Sequence, residues 1–293
     1  MDEAIFLSVK QLAQRAKAAA KTIALANAND KNNLLKAMAQ ALLDAQDAIL
    51  QANAIDVAAA RERNRTEALI DRLRLTPARI DAMAQGLLDL CALQDPIGEV
   101  MSGLKRPNGL QIEKRRVPLG VIGIIYEARP NVTSDAAGLC LKAGNAVVLR
   151  GGSEAIHSNR ATVGVMRAAI EQAGFPADCL TLVENTSRES ADALMRMNGL
   201  IDVLIPRGGA GLIANVVQNA TVPVIETGIG VCHVYVDAQA NLDMAQRIAV
   251  NAKISRPSVC NSMETLLVDA AVANVFMPNV IAAFRQNGVC PWA

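Results

Sequence analysis

The sequence of 293 residues has few aromatic side chains, few histidines and no excess of charge of either sign. Aromatic residues make up 2% of the chain, whereas hydrophobic residues make up 52%. A core of alanine, valine, isoleucine and leucine is typical of helices packed on a parallel sheet, which indicates an α/β fold. The 29 basic and 28 acidic residues are well mixed, which excludes the basic surface of a nucleic-acid-binding or membrane-surface protein.

Paired cysteines, metal-binding clusters and long apolar runs are also missing. The six cysteines show no CxxC motif and no paired spacing, and the first ten residues lack the apolar core of a signal peptide. We therefore expect a reduced, cytoplasmic protein. Because His157 and His233 are the only histidines, we expect no metal site. No apolar run approaches the length of a membrane-spanning helix, so we expect no membrane partner.

The N-terminal third of the chain has the pattern of helices. Apolar spacing predicts one helix from residue 3 to about Ala28 and a second, long helix that ends near Asn64. Asn29 and Asp30 are capping residues and are expected to open the second helix. Little chemistry is expected in this part of the chain.

A strong reversal signal follows these helices. The turn sequence Pro107-Asn108-Gly109 lies between apolar residues on both sides and predicts a β-hairpin near 100–114. Hairpins that stand off a parallel sheet often carry subunit contacts, and we expect this one to do so.

After Arg116 short apolar runs alternate with helical stretches, which is the sequence form of a doubly wound parallel sheet. Such sheets bind ligands beyond the carboxyl ends of their strands, so the segments after the strands are the candidate functional segments. The predicted strands are Leu119–Tyr126, Asn145–Leu149, Leu180–Val183, Val203–Ile205 and Val222–Ile225.

Four of these strand ends carry glycine, arginine or asparagine, where a dinucleotide would lie. Glycines let backbone amides approach a phosphate at the start of a helix. Taken singly, each glycine is more typical of a turn and Arg150 of a solvated surface charge, and no GxGxxG motif is present. The occurrence of such residues at four strand ends in succession favours cofactor binding. The four segments are Glu127–Thr133, Arg150–Ser153, Pro206–Gly211 and Glu226–Gly230.

A cysteine stands in a polar turn, residues 255–261, between a predicted helix and the predicted strand Met263–Val268. A free cysteine is by itself more often a small core residue. Arg256 and Asn261 beside it do not belong in an apolar core, and an arginine stabilises a thiolate. We therefore interpret Cys260 as a nucleophile.

Six longer motifs carry a resemblance to a known family: Asp71–Arg79, Arg116–Thr133, Gly144–Gly152, Ile205–Gly211, Gly228–His233 and Arg256–Asn261. With these motifs the chain resembles the γ-glutamyl phosphate reductase family of the aldehyde dehydrogenase superfamily. The resemblance is nearly continuous to about Asn287. It implies an aldehyde-dehydrogenase-like α/β fold, with a parallel, doubly wound cofactor-binding sheet and an incomplete α/β catalytic domain.

The activity that the resemblance implies is NADPH-dependent reduction of L-glutamyl 5-phosphate to L-glutamate 5-semialdehyde and phosphate, the second step of proline biosynthesis. The reaction would pass through a thioacyl intermediate on a cysteine. NADPH/NADP is the implied cofactor and a small acyl phosphate the implied substrate. The resemblance also implies a homo-oligomer at full length and channelling with glutamate 5-kinase.

Site residues follow from the same resemblance. Cys260 takes the place of the nucleophile and Asn131 that of an oxyanion-hole asparagine. Arg150 takes the place of a residue that faces the adenosine ribose, where it would meet a 2′-phosphate. Glu226 occupies the place of the superfamily's glutamate base. The implied cofactor-binding residues are Arg150, Gly151, Gly152, Arg207, Gly208, Gly209, Glu226, Thr227 and Gly228, and the implied substrate-binding residues are Arg129, Arg256 and Asn261.

The predicted domains are residues 1–230, with the N-terminal helices and the NADP-binding sheet, and residues 231–293, a partial catalytic domain with the nucleophilic cysteine. Family members continue well past this length, so we expect a C-terminally truncated protein. Two alternatives stay open. One is an oxidative aldehyde dehydrogenase in which Glu226 activates water, and the other is an inactive nucleotide-binding fragment.

Overall fold

A computed structural model describes residues 2–228, 230–257 and 259–291 of the chain. The chain divides into two compact units, Met1–Thr227 and Gly228–Ala293. Within the described ranges, no helix is long and apolar enough to cross a bilayer.

Five helices open the first unit, where the sequence predicted two long ones and a third start at Thr76. The predicted long second helix is wrong, because the chain breaks at Ala45 into two helices. The predicted cap is also wrong by two residues: Asn27 accepts from the Asp30 amide at 3.0 Å, and the Asp30 side chain accepts from the Asn27 amide. The helices are α1 (Glu3–Ile23), α2 (Ala28–Asp44), α3 (Gln46–Glu62), α4 (Glu67–Leu73) and α5 (Pro77–Ala92).

An exposed hairpin connects these helices to the sheet. Its strands, β1 (Val100–Lys105) and β2 (Gln111–Arg115), pair antiparallel. Gly109 adopts a φ of 89° in the connecting turn, a conformation that favours glycine. Every residue of both strands is exposed.

The central sheet has four parallel strands. Helices cover both of its faces, so the α/β class with a doubly wound parallel sheet is confirmed. The strands are β3 (Val121–Tyr126), β4 (Ala146–Arg150), β5 (Leu180–Leu182) and β6 (Val203–Arg207). They lie in the order β5-β4-β3-β6 across the sheet. The helices between and after them are α6 (Asn131–Lys142), α7 (Ile156–Gln172), α8 (Arg188–Met195) and α9 (Ala210–Asn219).

The predicted fifth strand, Val222–Ile225, does not form. Only an isolated bridge joins Leu204 to Val224, with bonds from the Leu204 amide to the Pro223 carbonyl and from the Ile225 amide to the Leu204 carbonyl. Pro223 has no N–H to donate, so the pairing does not extend beyond this single bridge.

Each face of the sheet has its own core. Ile122, Ile124 and Tyr126 of β3 lie in the cluster with α2, α5, α6 and α7, while Val121 and Ile125 lie in the cluster with α1 and α8. The alternation follows from the two-residue period of a strand. Each fully buried side chain of this size contributes about 1.5–3 kcal/mol, so β3 is anchored from both sides.

A buried carboxylate on α3 holds the segment that follows β4. Asp56 accepts hydrogen bonds from the His157 amide, the Ser158 amide and the Ser158 hydroxyl at 3.2, 2.8 and 2.6 Å. α7 has no side-chain cap of its own, so Asp56 caps it from another helix. The start of α7 is therefore fixed at the carboxyl end of the sheet.

The second unit is a small layered structure. Its strands, β7 (Cys232–Val236) and β8 (Met263–Val268), pair parallel, and α10 (Leu242–Ile254) and α11 (Ala270–Gln286) accompany them. The apolar cluster of this unit is built around Val236, Ala249, Phe276, Val280 and Phe284.

One buried ion pair holds α2 to the loop after α5. The Lys31 side chain is 1% exposed and lies 2.5 Å from the Asp95 carboxylate, which is 14% exposed. Burial by itself raises the pKa of Asp95, but hydrogen bonds from Lys31 and the Ile97 amide, with the charges of Lys31 and Lys142, lower it below the ordinary 3.8. Because the folded-state pKa is lowered, the carboxylate stabilises the fold above pH 3.8, and this contribution is lost as the pH falls through the folded pKa.

We predict that Asp95→Asn lowers the free energy of unfolding by about 3 kcal/mol at pH 7, because it leaves the buried Lys31 ammonium without its carboxylate. Urea unfolding measures the loss, and the difference from the parent chain should shrink in acid. Asp47→Asn, at an exposed carboxylate, is the control and should cost under ~1 kcal/mol. Equal losses in the two variants would contradict the assignment.

Candidate active site

Cys260 lies on an exposed turn between α10 and β8. α10 ends at Ile254, and Pro257 prevents its continuation. Two backbone bonds shape the turn, from the Val259 amide to the Arg256 carbonyl at 3.3 Å and from the Ser262 amide to the Val259 carbonyl at 3.2 Å. The thiol is therefore carried by a short turn between two regular elements, as a nucleophile needs.

The start of β7 packs against this turn. The Cys232 thiol donates to the Cys260 carbonyl at 3.4 Å, and a Cβ added at Gly230 would lie 3.0 Å from the same oxygen. The Gly228–His233 motif thus supports the backbone of Cys260. Sequence reasoning missed Cys232, although the residue lies inside a motif that carries the resemblance.

The residues predicted to act beside Cys260 lie on the same turn. Arg256 and Asn261 are both exposed, as is Cys260 itself. Ser262 is buried, and its hydroxyl has no hydrogen-bond partner among the described residues. Ser258 lies outside the described residues. The turn therefore presents a thiol, a guanidinium and an amide on one short exposed segment.

Two other cysteines have the opposite environment. Cys140 and Cys179 are buried, and burial raises the pKa of each thiol to about 12. The charge of Asp178 adds to the effect at Cys179. A thiol with so high a pKa is almost entirely protonated near neutral pH and is a poor nucleophile.

In the first unit, Asn131 is the first residue of α6 and is exposed. Its side-chain nitrogen donates to the Asp135 carboxylate at 3.1 Å. Burial raises the pKa of Asp135, and this hydrogen bond lowers it in part. The Asn131 amide is therefore held by a partner one helical turn away.

The Arg150 guanidinium is tied to main-chain carbonyls. Its Nη2 donates to the Thr186 and Ser187 carbonyls at 2.7 and 2.8 Å, and its Nη1 donates to the Gly151 carbonyl at 3.1 Å. Nε is buried and has no partner among the described residues. Arg150 thus joins the end of β4 to the start of α8, a structural role that sequence reasoning did not find.

Two glycines after β4 allow close packing. A Cβ at Gly151 would lie 2.3 Å from the Asn159 side-chain nitrogen and 3.0 Å from the Tyr126 ring, and a Cβ at Gly152 would lie 3.1 Å from the Ala128 amide. These contacts bring the end of β4 against the loop after β3.

The turn after β6 leads directly into α9. Arg207, Gly208 and Gly209 are exposed, and Gly209 is the N-terminal residue flanking the helix. The helix has no side-chain cap and no acidic residue in its first turn. A Cβ at Gly211 would meet no atom within 4 Å. The Gly209 amide donates to the Glu127 carboxylate at 2.9 Å, and the open space beside Gly211 leaves the rest of this helix start able to receive a phosphate group.

The remaining predicted residues are Glu226, Thr227 and Gly228, where the two units meet in the sequence, and Arg129 in the loop after β3. Glu226 and Thr227 are exposed at the end of the first unit, and Gly228 is exposed at the start of the second. The Arg129 amide donates to the Glu127 carbonyl at 2.7 Å. In the described parts of the chain no group of histidine, cysteine, aspartate and glutamate side chains could hold a metal ion.

Comparisons with known proteins identify the family of the chain. The family model described as "Aldehyde dehydrogenase family" matches residues 6–290. The chain belongs to the aldehyde dehydrogenase family, and the aldehyde-dehydrogenase-like fold is confirmed. Within this family its group is that of the gamma-glutamyl phosphate reductases, so the predicted enzyme class, an oxidoreductase, is also confirmed.

The individual relatives support that grouping. "Gamma-glutamyl phosphate reductase" of Moorella thermoacetica is 59% identical over 285 residues, which cover 97% of this chain and 68% of the relative. The protein of the same name from Clostridium beijerinckii is 57% identical over 276 residues, 94% of this chain and 67% of the relative. The crystal structure of gamma-glutamyl phosphate reductase from Thermotoga maritima matches with a TM-score of 0.89 at 43% identity, covering 96% of this chain and 68% of that one.

The different environments of the cysteines predict their reactivity. At pH 8 we expect iodoacetamide to label Cys260 at least about tenfold faster than Cys140 and Cys179, because Cys260 is exposed and the other two are buried and protonated. Peptide mass spectrometry over a time course measures the three rates. Equal rates at the three positions would refute the exposed, reactive state assigned to Cys260.

Proposed function

We propose that the chain catalyses NADPH-dependent reduction of L-glutamyl 5-phosphate to L-glutamate 5-semialdehyde and phosphate, a step of proline biosynthesis. The observation that carries the proposal is the 59% identity over 97% of the chain to a gamma-glutamyl phosphate reductase. The exposed thiol on the Cys260 turn supports it, because an acyl phosphate needs an accessible nucleophile.

In the proposed reaction the Cys260 thiolate attacks the carbonyl carbon of the acyl phosphate. The new carbon–sulfur bond forms, and phosphate leaves with the electron pair of the carbon–oxygen bond, giving a thioester. Phosphate is a good leaving group and needs no general acid. The Cys260 N–H is proposed to donate to the developing oxyanion, and Asn131 keeps its predicted role as a second donor. Each such donor is typically worth about 3 kcal/mol.

When bound, NADPH supplies the hydride that reduces the thioester to the aldehyde. The residues proposed to hold it follow the strands of the sheet: the uncapped start of α9 with Gly208 and Gly209 for phosphate groups, and the segment from Arg150 to Gly152 for the adenosine end. Arg207 is exposed beside the same turn and offers a second positive charge. Glu226, Thr227 and Gly228 keep their predicted contacts with the cofactor, and Arg129, Arg256 and Asn261 theirs with the substrate.

Removing the proposed nucleophile should abolish the reaction. We predict that Cys260→Ser reduces activity at least ~10³-fold, because a serine hydroxyl stays almost fully protonated near neutral pH and is a much weaker nucleophile than a thiolate. Reduction of L-glutamyl 5-phosphate is followed by NADPH absorbance. Cys290→Ser, at the other exposed cysteine, is the matched control and should keep the parent rate. Activity retained by Cys260→Ser would contradict the mechanism.

The same assay separates the alternatives. Run in reverse, a reductase of this kind requires phosphate to form the acyl phosphate, whereas an oxidative aldehyde dehydrogenase with Glu226 as base oxidises the aldehyde without it. Binding of NADPH without turnover in either direction would identify the inactive nucleotide-binding fragment.

The 2′-phosphate of NADPH provides a further test. We predict that Arg150→Ala weakens the binding of NADPH more than the binding of NADH. The ratio of the two dissociation constants should change by about tenfold, because a charge-assisted hydrogen bond to the 2′-phosphate is lost. Fluorescence titration with both nucleotides measures the ratio. Arg207→Ala is the comparison: a larger change in the ratio there would move the role from Arg150 to Arg207.

The hairpin supports a proposed homo-oligomer. Met101, Leu104 and Ile112 are 50%, 51% and 45% exposed on β1 and β2, and apolar groups of this size on a free ribbon favour contact with another chain. Channelling with glutamate 5-kinase and the cytoplasmic location remain predictions from the sequence.

A further inference from the structure

Glu127 touches the turn after β6 with both its main chain and its side chain. The residue follows β3 directly, and its amide donates to the Arg207 carbonyl at 3.2 Å. Its side-chain Oε1 accepts a hydrogen bond from the Gly209 amide at 2.9 Å. One residue therefore fixes the Arg207–Gly209 turn at two points, one on each side of Gly208.

Glycines that follow β4 and β6, the two strands on either side of β3, make room for Glu127. A Cβ at Gly208 would lie 2.7 Å from Cδ of Glu127 and 2.8 Å from its Cγ, a separation that real Cβ atoms essentially never show. A Cβ at Gly152, after β4, would lie 3.3 Å from the Glu127 carbonyl carbon. Three strand ends thus converge on this residue.

The hydrogen bond between Glu127 and Gly209 affects α9, because Gly209 lies at the start of this helix. Gly209 flanks the N-terminus of α9, and its carbonyl accepts from the Leu212 and Ile213 amides at 3.0 and 3.2 Å, the first bonds of the helix. A hydrogen bond that holds the Gly209 amide therefore orients the beginning of α9. The helix itself contributes no side-chain cap there.

We propose that Glu127 is a positioning residue for nucleotide binding: its carboxylate anchors the Gly208–Gly209 turn and so presents the start of α9 to the cofactor phosphates. This inference rests on the proposed function for the identity of the ligand. The anchoring itself stands on the contacts of Glu127 alone. The role belongs to the hydrogen-bond acceptor and not to the negative charge, since a charge beside a phosphate repels it.

Three variants separate these contributions. Glu127→Gln keeps an acceptor oxygen of the same reach and removes the charge, whereas Glu127→Ala removes the acceptor. Gly208→Ala leaves Glu127 in the sequence but places a methyl group where its side chain lies, which displaces the flexible carboxylate from the Gly209 amide. Urea unfolding of all three identifies any variant that has lost the fold.

The anchoring is tested without any ligand. Amide hydrogen exchange in the peptide spanning 207–213 should be about tenfold faster in Glu127→Ala and Gly208→Ala than in the parent chain, and unchanged in Glu127→Gln. The double variant Glu127→Ala with Gly208→Ala should exchange no faster than either single variant, because both remove the same contact. Unchanged exchange in Glu127→Ala would overturn the proposal.

The effect on the cofactor is measured by fluorescence titration with NADPH. Glu127→Ala and Gly208→Ala should raise the dissociation constant about tenfold, and Glu127→Gln should bind at least as tightly as the parent chain. Loss of binding in Glu127→Gln equal to that in Glu127→Ala would overturn the role of the acceptor. If the parent chain binds no NADPH, the proposed function fails, and the exchange experiment still decides the anchoring.

Discussion

Parallel pairing of β3 with β4 and β6 is the constraint on which the candidate cofactor site depends. The register places Ile125 opposite both Arg150 and Pro206, and Tyr126 opposite Arg207. All three strands run in the same direction, so their last residues reach one edge of the sheet together. Strand pairing thus makes neighbours of three loops that are far apart in the sequence. The buried side chains on both faces of β3 hold that register, because a slip of one residue would exchange the two faces.

Much of this arrangement is predictable from the sequence, since it follows from periodicity. Apolar runs locate the four strands of the sheet, and their alternation with helical stretches gives the parallel topology. The failures have local physical causes. α4 has only seven residues, too few to show a helical period, and Pro223 leaves the segment after α9 with a single bridge. The break at Ala45 lies in an alanine-rich stretch that carries no breaking residue.

The candidate site was predictable in its residue types and less so in its contacts. Pro257 and the polar residues beside Cys260 indicated a polar turn, and the structure shows that Cys260 is exposed there. Cys232 and Gly230 support the turn from the start of β7, and Cys232 lies 28 positions before Cys260. No local sequence pattern predicts a contact over this separation. The same applies to Arg150, whose partners at Thr186 and Ser187 become neighbours only when β4 and β5 pair. Contacts across strands depend on register, which residue spacing alone does not supply.

The glycines after the strands have a structural role beside the cofactor-binding role proposed for them. Sequence reasoning attributes them to the approach of a phosphate, whereas the structure shows that Gly151, Gly152 and Gly208 are also needed for contacts within the chain. The two roles are compatible, because a turn held by internal contacts presents its amides without having to order them on binding, and less entropy is then lost when a ligand arrives. Arg150 is likewise held by contacts within the chain. Burial lowers the pKa of its guanidinium, although the nearby carboxylates of Glu154 and Asp192 raise it in part, and its bonds to carbonyls fix the side chain at the end of β4. A guanidinium held in this way keeps its charge at a fixed place at the end of β4 before any ligand arrives.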